Sequence, residues 1–175
     1  YSDNYADICT NLLMPELITS YYNAPFGTLA IRHNEEFITA VQFLDEEHAE
    51  TRKPKGIAQQ CMFQLDEYFN GKLRNFDLLL GPSGTDFQKK VWMALQTIPY
   101  ASTASYLDIA KLVGDEKSTR AVGAANGKNP VAIIIPCHRV IGSDNSLTGY
   151  AGGLHRKKWL LQHEAKFGLG VQTLF

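Results

Sequence analysis

Val131-Ala132-Ile133-Ile134-Ile135-Pro136-Cys137-His138-Arg139-Val140 is the stretch around which the rest of the chain is read. The continuous apolar run Val131–Ile135 predicts a fully buried strand, and it delivers a cysteine, a histidine and an arginine in direct succession. An unperturbed thiol has a pKa of about 8.5 and is only a few per cent thiolate at neutral pH, so a nucleophilic cysteine needs a base or a positive charge beside it. His138 and Arg139 are placed to supply both. Neighbouring residues in an extended strand point to opposite faces, so cooperation between Cys137 and His138 requires a turn at Pro136 or a bridging water. On these residues alone, a buried structural cysteine beside a surface histidine fits as well.

Immediately upstream, the pattern is helical. Thr85 and Gln88 have capping-box spacing and open a helix whose apolar side carries Phe87, Val91, Trp92 and Leu95. Ser105 is placed to cap a short helix through Tyr106, Ile109, Ala110 and Val113, and Gly114-Asp115 breaks it. Ser118 is placed to cap a second helix running to Ala125, with Gly127 as its stop. Two short helices about a glycine turn describe a helix-turn-helix, and equally an ordinary helical hairpin. The second helix, Arg120-Ala121-Val122-Gly123-Ala124-Ala125, has one long polar side chain, too few for major-groove readout. Small residues suit close backbone approach in the minor groove, or packing against the first helix.

Further upstream, Leu80-Gly81-Pro82-Ser83-Gly84 is a breaker cluster, and the expected boundary lies there: an N-terminal α/β unit over 1–84 and a C-terminal unit over 85–175. Residues 1–84 carry 6 Lys/Arg against 12 Asp/Glu, whereas residues 85–175 carry 11 against 6, so a chain of net charge −1 conceals halves of −6 and +5. A basic C-terminal half can meet a polyanion through one face. In the first half, Thr28–Ile31 and Phe37–Phe43 predict a hairpin about His33-Asn34-Glu35-Glu36. Ile57, Cys61, Leu65 and Tyr68 predict a helix ending near Gly71, and Phe76–Leu80 a further strand. This half shows no cluster of catalytic groups.

With 175 residues, 45% apolar and 20% charged, the chain is long enough for a real core and has neither disordered nor fibrous composition. It contains no run of eighteen apolar residues, and Tyr1-Ser2-Asp3-Asn4-Tyr5 lacks a signal-peptide pattern, so a soluble intracellular protein without membrane contact is expected. The start at Tyr1 rather than Met leaves room for residues upstream. Cys9, Cys61 and Cys137 stand far apart without a C-x-x-C pair, which argues for reduced thiols and against a cysteine zinc site. His155 and His163, eight residues apart, are expected as surface groups.

Pro136-Cys137-His138-Arg139-Val140, preceded by Arg120-Ala121-Val122-Gly123 and Asn129-Pro130 and followed by Gly149-Tyr150-Ala151-Gly152-Gly153, resembles the signature of the O6-alkylguanine-DNA alkyltransferases. The likeness runs almost without gaps from Phe87 to Glu164 and continues weakly through Pro25-Phe26-Gly27 and Tyr68-Phe69-Asn70-Gly71. It implies a ribonuclease-H-like sheet domain followed by a mainly helical domain carrying a helix-turn-helix. The implied activity is single-turnover transfer of an alkyl group, chiefly methyl, from O6 of guanine, and from O4 of thymine, in double-stranded DNA to Cys137, with no cofactor and no metal. His138 would withdraw the thiol proton through water, Glu164 would orient and charge the imidazole, and Asn129 would brace the turn. The resemblance implies base flipping from the minor-groove side, with Tyr106 acting on a phosphate and then on the extruded base, Arg120 filling the gap, and Ala121 and Ala124 against DNA. Val140, Tyr150, Ala151 and Gly152 would line the base pocket. A monomer in the bacterial cytosol, at the nucleoid, is the implied setting.

Two positions depart from the family pattern: Ala101 stands where many members have glycine, and Ala151 where some have serine. Two rivals are a helix-turn-helix regulator without chemistry, which leaves Cys137 unexplained, and a turnover hydrolase using Cys137, His138 and Glu164, which leaves the small-residue helix unexplained. Glu164→Gln is expected to leave the fold largely intact.

Overall fold

Three β-rich runs open the structure, a computed structural model that describes residues 16–170; Cys9 and the opening Tyr1–Tyr5 lie outside the described residues. β1 (Ile18–Ala24), β2 (Gly27–His33) and β3 (Ile38–Phe43) form an antiparallel sheet in that order. The β2–β3 hairpin is as expected: Asn34 Oδ1 accepts from the backbone N–H of Glu36 and Phe37 at 2.9 and 2.7 Å, which fixes the turn. β1 was not anticipated, although Ile18-Thr19-Ser20-Tyr21-Tyr22 has strand composition. α1 (Gly56–Phe69) lays Ile57, Cys61, Leu65 and Tyr68 into the core with Leu29, Ile31 and Val41.

The expected strand at Phe76–Leu80 reduces to a single parallel bridge, Ile38 to Leu80, closed by Ile38 N–H to Leu79 O and Gly81 N–H to Ile38 O. Further along β3, Val41 N–H donates to Pro130 O and Ala132 N–H donates to Val41 O, both at 2.9 Å. β3 is therefore where the C-terminal half is stitched onto the sheet. The run Val131–Ile135 is buried as its composition predicts, but it is not a strand. It folds into turns closed by Ile134 N–H to Ala132 O and Ile135 N–H to Val131 O, with Ile133 at φ +72°. An apolar run reports burial; extension needs a partner strand, and β3 reaches only its first residues.

α2 (Asp86–Leu95) begins with the predicted capping box between Thr85 and Gln88 and buries Val91, Trp92 and Leu95, while Phe87 stays 37% exposed. β4 (Ala104–Ser105) leads into α3 (Tyr106–Leu112), capped reciprocally by Ser105 and Asp108. α4 (Thr119–Gly127) follows across a 3-10 turn at Glu116–Ser118, completing a helix-turn-helix. Ser118 does not cap α4: its hydroxyl donates to Asp115 O at 2.6 Å, and Asp115 caps the intervening turn instead. Trp92 Nε1 donates to Ala125 O at 2.9 Å and ties α2 to α4. A second 3-10 turn, Cys137–Arg139, precedes β5 (Val140–Ile141), which pairs in parallel with β4; α5 (Leu154–Gly168) closes the fold. Among the described residues no helix is long and apolar enough to cross a membrane.

Candidate active site

Because Cys137, His138 and Arg139 share a 3-10 turn, their side chains fan out instead of alternating. Cys137 Sγ accepts a hydrogen bond from Asn129 Nδ2 at 3.0 Å. The same amide donates to Ile135 O at 2.8 Å, and Asn129 Oδ1 accepts from Val131 N–H at 3.0 Å. Asn129, just past the end of α4, thus clamps the buried turns that carry the thiol. His138 is fully buried; Nε2 lies 2.8 Å from Glu164 Oε1, and Nδ1 has no partner among the described residues.

Glu164 is a hub. Its Oε1 accepts from Tyr68 Oη at 2.9 Å and Arg139 Nη2 at 3.0 Å, and its Oε2 from Arg139 Nε at 2.9 Å and Ala101 N–H at 3.1 Å. Ala101 makes that contact from the left-handed region, at φ +59°, a conformation that favours glycine. Arg139 Nη1 donates to Ile98 O at 2.7 Å. Burial pushes the Glu164 carboxyl up, but His138 and Arg139 outweigh it and hold the group well below the usual carboxylate range. For His138, burial dominates the attraction of Glu164 and lowers its pKa, with Arg139 adding to the fall. Burial likewise raises the Cys137 thiol, opposed by Asn129 and the Lys157 charge. Thiol and imidazole are therefore both neutral at rest. A neutral imidazole bonded to a carboxylate keeps its proton on Nε2, which leaves Nδ1 as the basic nitrogen.

The thiol lines a cleft of about 150 Å³. Asn126, Asn129 and Ala132 line it together with Tyr150, Ala151 and Gly152 of the loop before α5 and Val41, Gln42 and Phe43 of β3. Two buried polar atoms at this cleft, Tyr150 Oη and Asn126 Oδ1, have no partner among the described residues. Val140 is buried one step behind, its carbonyl taken by Lys157 Nζ at 2.6 Å. Lys157 also donates to Thr148 O at 2.9 Å, and burial pushes its pKa down to about 8.

α4 exposes Arg120, Ala121 and Ala124 and buries Val122 and Ala125, so its small residues serve both a free face and the packing. Tyr106, at the start of α3, packs its ring near Gly123, and its hydroxyl accepts from Thr148 Oγ1 at 3.0 Å. His155 is exposed as expected, but His163 is 7% exposed, with Nε2 2.9 Å from Tyr68 O and its ring stacked on Trp159. It falls on the same face of α5 as Leu160 and Glu164, a spacing that pointed to the core. Cys61 is sealed in the sheet–helix core, its pKa pushed up to about 12 by burial.

Sequence reasoning missed Tyr68, Lys157, Phe43 and Asn126, and gave Arg139 only a charge. Tyr68, on a core helix face, carried no separate signal; Lys157 beside Leu160 and Leu161 on the buried face of α5 did.

A family model described as 6-O-methylguanine DNA methyltransferase, ribonuclease-like domain, matches residues 17–82, and one described as the DNA binding domain of the same proteins matches residues 86–166. A methylated-DNA–protein-cysteine methyltransferase of Methanosarcina barkeri is 48% identical over 152 residues, covering 82% of this chain and 96% of that protein. The crystal structure of Mycobacterium tuberculosis O6-methylguanine methyltransferase superposes with a TM-score of 0.79 at 41% identity, covering 87% of this chain and 95% of the other. A structure of the M. tuberculosis protein in complex with DNA gives 0.77 at 42%, covering 85% and 93%.

Proposed function

This chain belongs to the 6-O-methylguanine DNA methyltransferase family, binds DNA, and repairs it by moving an alkyl group from O6 of guanine directly onto one of its own cysteines; we propose that the acceptor is Cys137. The observation that carries this reading is the Cys137 thiol, open to the cleft, next in the chain to a buried His138 whose Nδ1 has no partner among the described residues. Cys61, by contrast, is sealed in the core.

In the proposed reaction the Sγ proton passes through a water to His138 Nδ1, and Sγ attacks the alkyl carbon opposite O6. The C–S bond forms as the C–O6 bond breaks, and the electron pair is taken up by the guanine ring. Glu164 stabilises the imidazolium through Nε2, as a carboxylate behind a catalytic histidine does. Asn129, bonded to Sγ at 3.0 Å, supports the developing thiolate. The thioether has no easy route back to thiol, so each molecule acts once.

The target group is buried in duplex DNA, so the nucleotide leaves the stack. Arg120 fills the space, Tyr106 acts first on a phosphate and then on the base, and Ala121 and Ala124 approach the minor groove. Tyr150, Ala151, Gly152 and the Val140 backbone hold the extruded base. O4-alkylthymine is a second substrate, the working unit is a monomer in the bacterial cytosol at the nucleoid, and the chain divides at Gly84 into the units 1–84 and 85–175.

Mass spectrometry after incubation with duplex DNA containing O6-methylguanine tests the assignment. One added methyl on the Cys137 peptide is expected; methyl on the Cys61 peptide, or repeated turnover per molecule, overturns it.

A further inference from the structure

We propose that Phe43, a residue of the N-terminal sheet, sets the upper size of the alkyl group that the thiol of Cys137 accepts. The inference rests on Cys137 being the acceptor. In a direct displacement Sγ, the reacting carbon and O6 lie on one line, so anything larger than methyl projects sideways from that line. The side walls of the cleft at Sγ therefore decide which groups fit.

One of those walls comes from outside the C-terminal half. Ala132, which lines the cleft with the thiol, bonds through its N–H to Val41 O at 2.9 Å, and Phe43 lies two residues further on the same face of β3. The Phe43 ring faces Tyr150 at a centroid distance of 5.9 Å and presses on Gly152 so closely that a Cβ there would collide with it. An aromatic of the sheet and the glycine-bearing loop thus pack directly on each other where both line the cleft.

The ring is braced from behind. Phe26 packs on it at 5.6 Å, and the Arg156 guanidinium lies over it at 5.1 Å. Arg156 Nη1 donates to Gly152 O and Nη2 to Leu44 O, both at 3.2 Å, so one buried side chain joins the end of the strand carrying Phe43 to the loop it packs against. Both nitrogens also reach Asp45 Oδ1 at 3.3 Å, but that carboxylate is 95% exposed and adds little. The packing of Phe43 on this loop is therefore held by the carbonyl bonds, and Phe43 is a specificity residue fixed in place rather than a mobile rim.

The test is a competition in one tube between duplexes of identical sequence carrying O6-methylguanine and O6-benzylguanine, read as the ratio of benzyl to methyl on the Cys137 peptide. Because both substrates meet the same protein molecules, the fraction that is folded cancels from the ratio. Phe43→Ala is expected to raise the ratio about tenfold, Phe43→Leu less, and Phe43→Trp to lower it, in line with the discrimination an apolar pocket obtains from side-chain size. Phe43→Leu carries the test if the alanine variant does not fold. A ratio unchanged across the series, with methyl still on Cys137, overturns the role of Phe43 alone. Methyl on another residue overturns the acceptor assignment and this inference with it.

Discussion

Arg139 grips Glu164 side-on, Nε to Oε2 at 2.9 Å and Nη2 to Oε1 at 3.0 Å, one residue along the chain from the histidine that Glu164 also serves. The carboxylate is thus neutralised by a buried guanidinium before any proton moves, and it is as much a structural group as a member of the relay.

Glu164→Gln is consequently expected to damage the fold, contrary to the sequence-based expectation. Removing one partner of a buried pair leaves an uncompensated charge at a cost of about 3–5 kcal/mol. Urea unfolding of the purified variant measures this. A loss under about 1 kcal/mol, the range of an exposed pair, would show that Arg139 finds another counter-charge.

Stability should decline as pH falls below neutrality. His138 and His163 both have pKa values lowered by burial, so each contributes stability in full above the unfolded value of about 6.5 and loses it as pH falls towards the folded value. Glu164, also lowered, adds a second loss that begins only below about 4.3. Urea midpoints at pH 7.5 and 5.5 isolate the histidines. Equal midpoints would mean that neither imidazole is held neutral by the fold.

Ala101→Gly should stabilise the protein. A left-handed alanine costs about 1–2 kcal/mol, and glycine returns about 0.4–1 kcal/mol of that through its freer unfolded chain. A net gain of about 0.5–1 kcal/mol should raise the thermal midpoint, with the N–H to Glu164 unchanged. A lower midpoint would assign the larger share to the contact between the Ala101 methyl and Gly168.

Arg120→Ala should slow repair of duplex DNA far more than reaction with free O6-benzylguanine, because Arg120 is exposed on α4 while the thiol cleft is lined without it. Comparing the two rates for variant and parent decides this, and equal losses would move Arg120 into folding or chemistry. Affinity for undamaged duplex should fall with added salt and vary little with sequence; one strongly preferred sequence would favour a regulator.

Local chemistry along the chain determined a good deal. The capping box at Thr85/Gln88, the Ser105 cap of α3, the β2–β3 hairpin and the core face of α1 are written in short-range spacing, and each forms as read. The thiol and its neighbours were legible because Cys137, His138 and Asn129 lie within nine residues of one another. Long-range packing decided the rest. Val131–Ile135 turns instead of extending because β3 offers it only one partner residue, Val41. Ser118 is drawn to the preceding turn, where its hydroxyl donates to Asp115 O, and accepts no N–H of α4. Tyr68 and Ala101 reach Glu164 from 96 and 63 residues away, and Phe43 faces the thiol cleft from the other half of the chain. A buried carboxylate must collect every donor that the surrounding elements offer, and which donors those are follows from how helices and sheet pack, not from spacing along the chain.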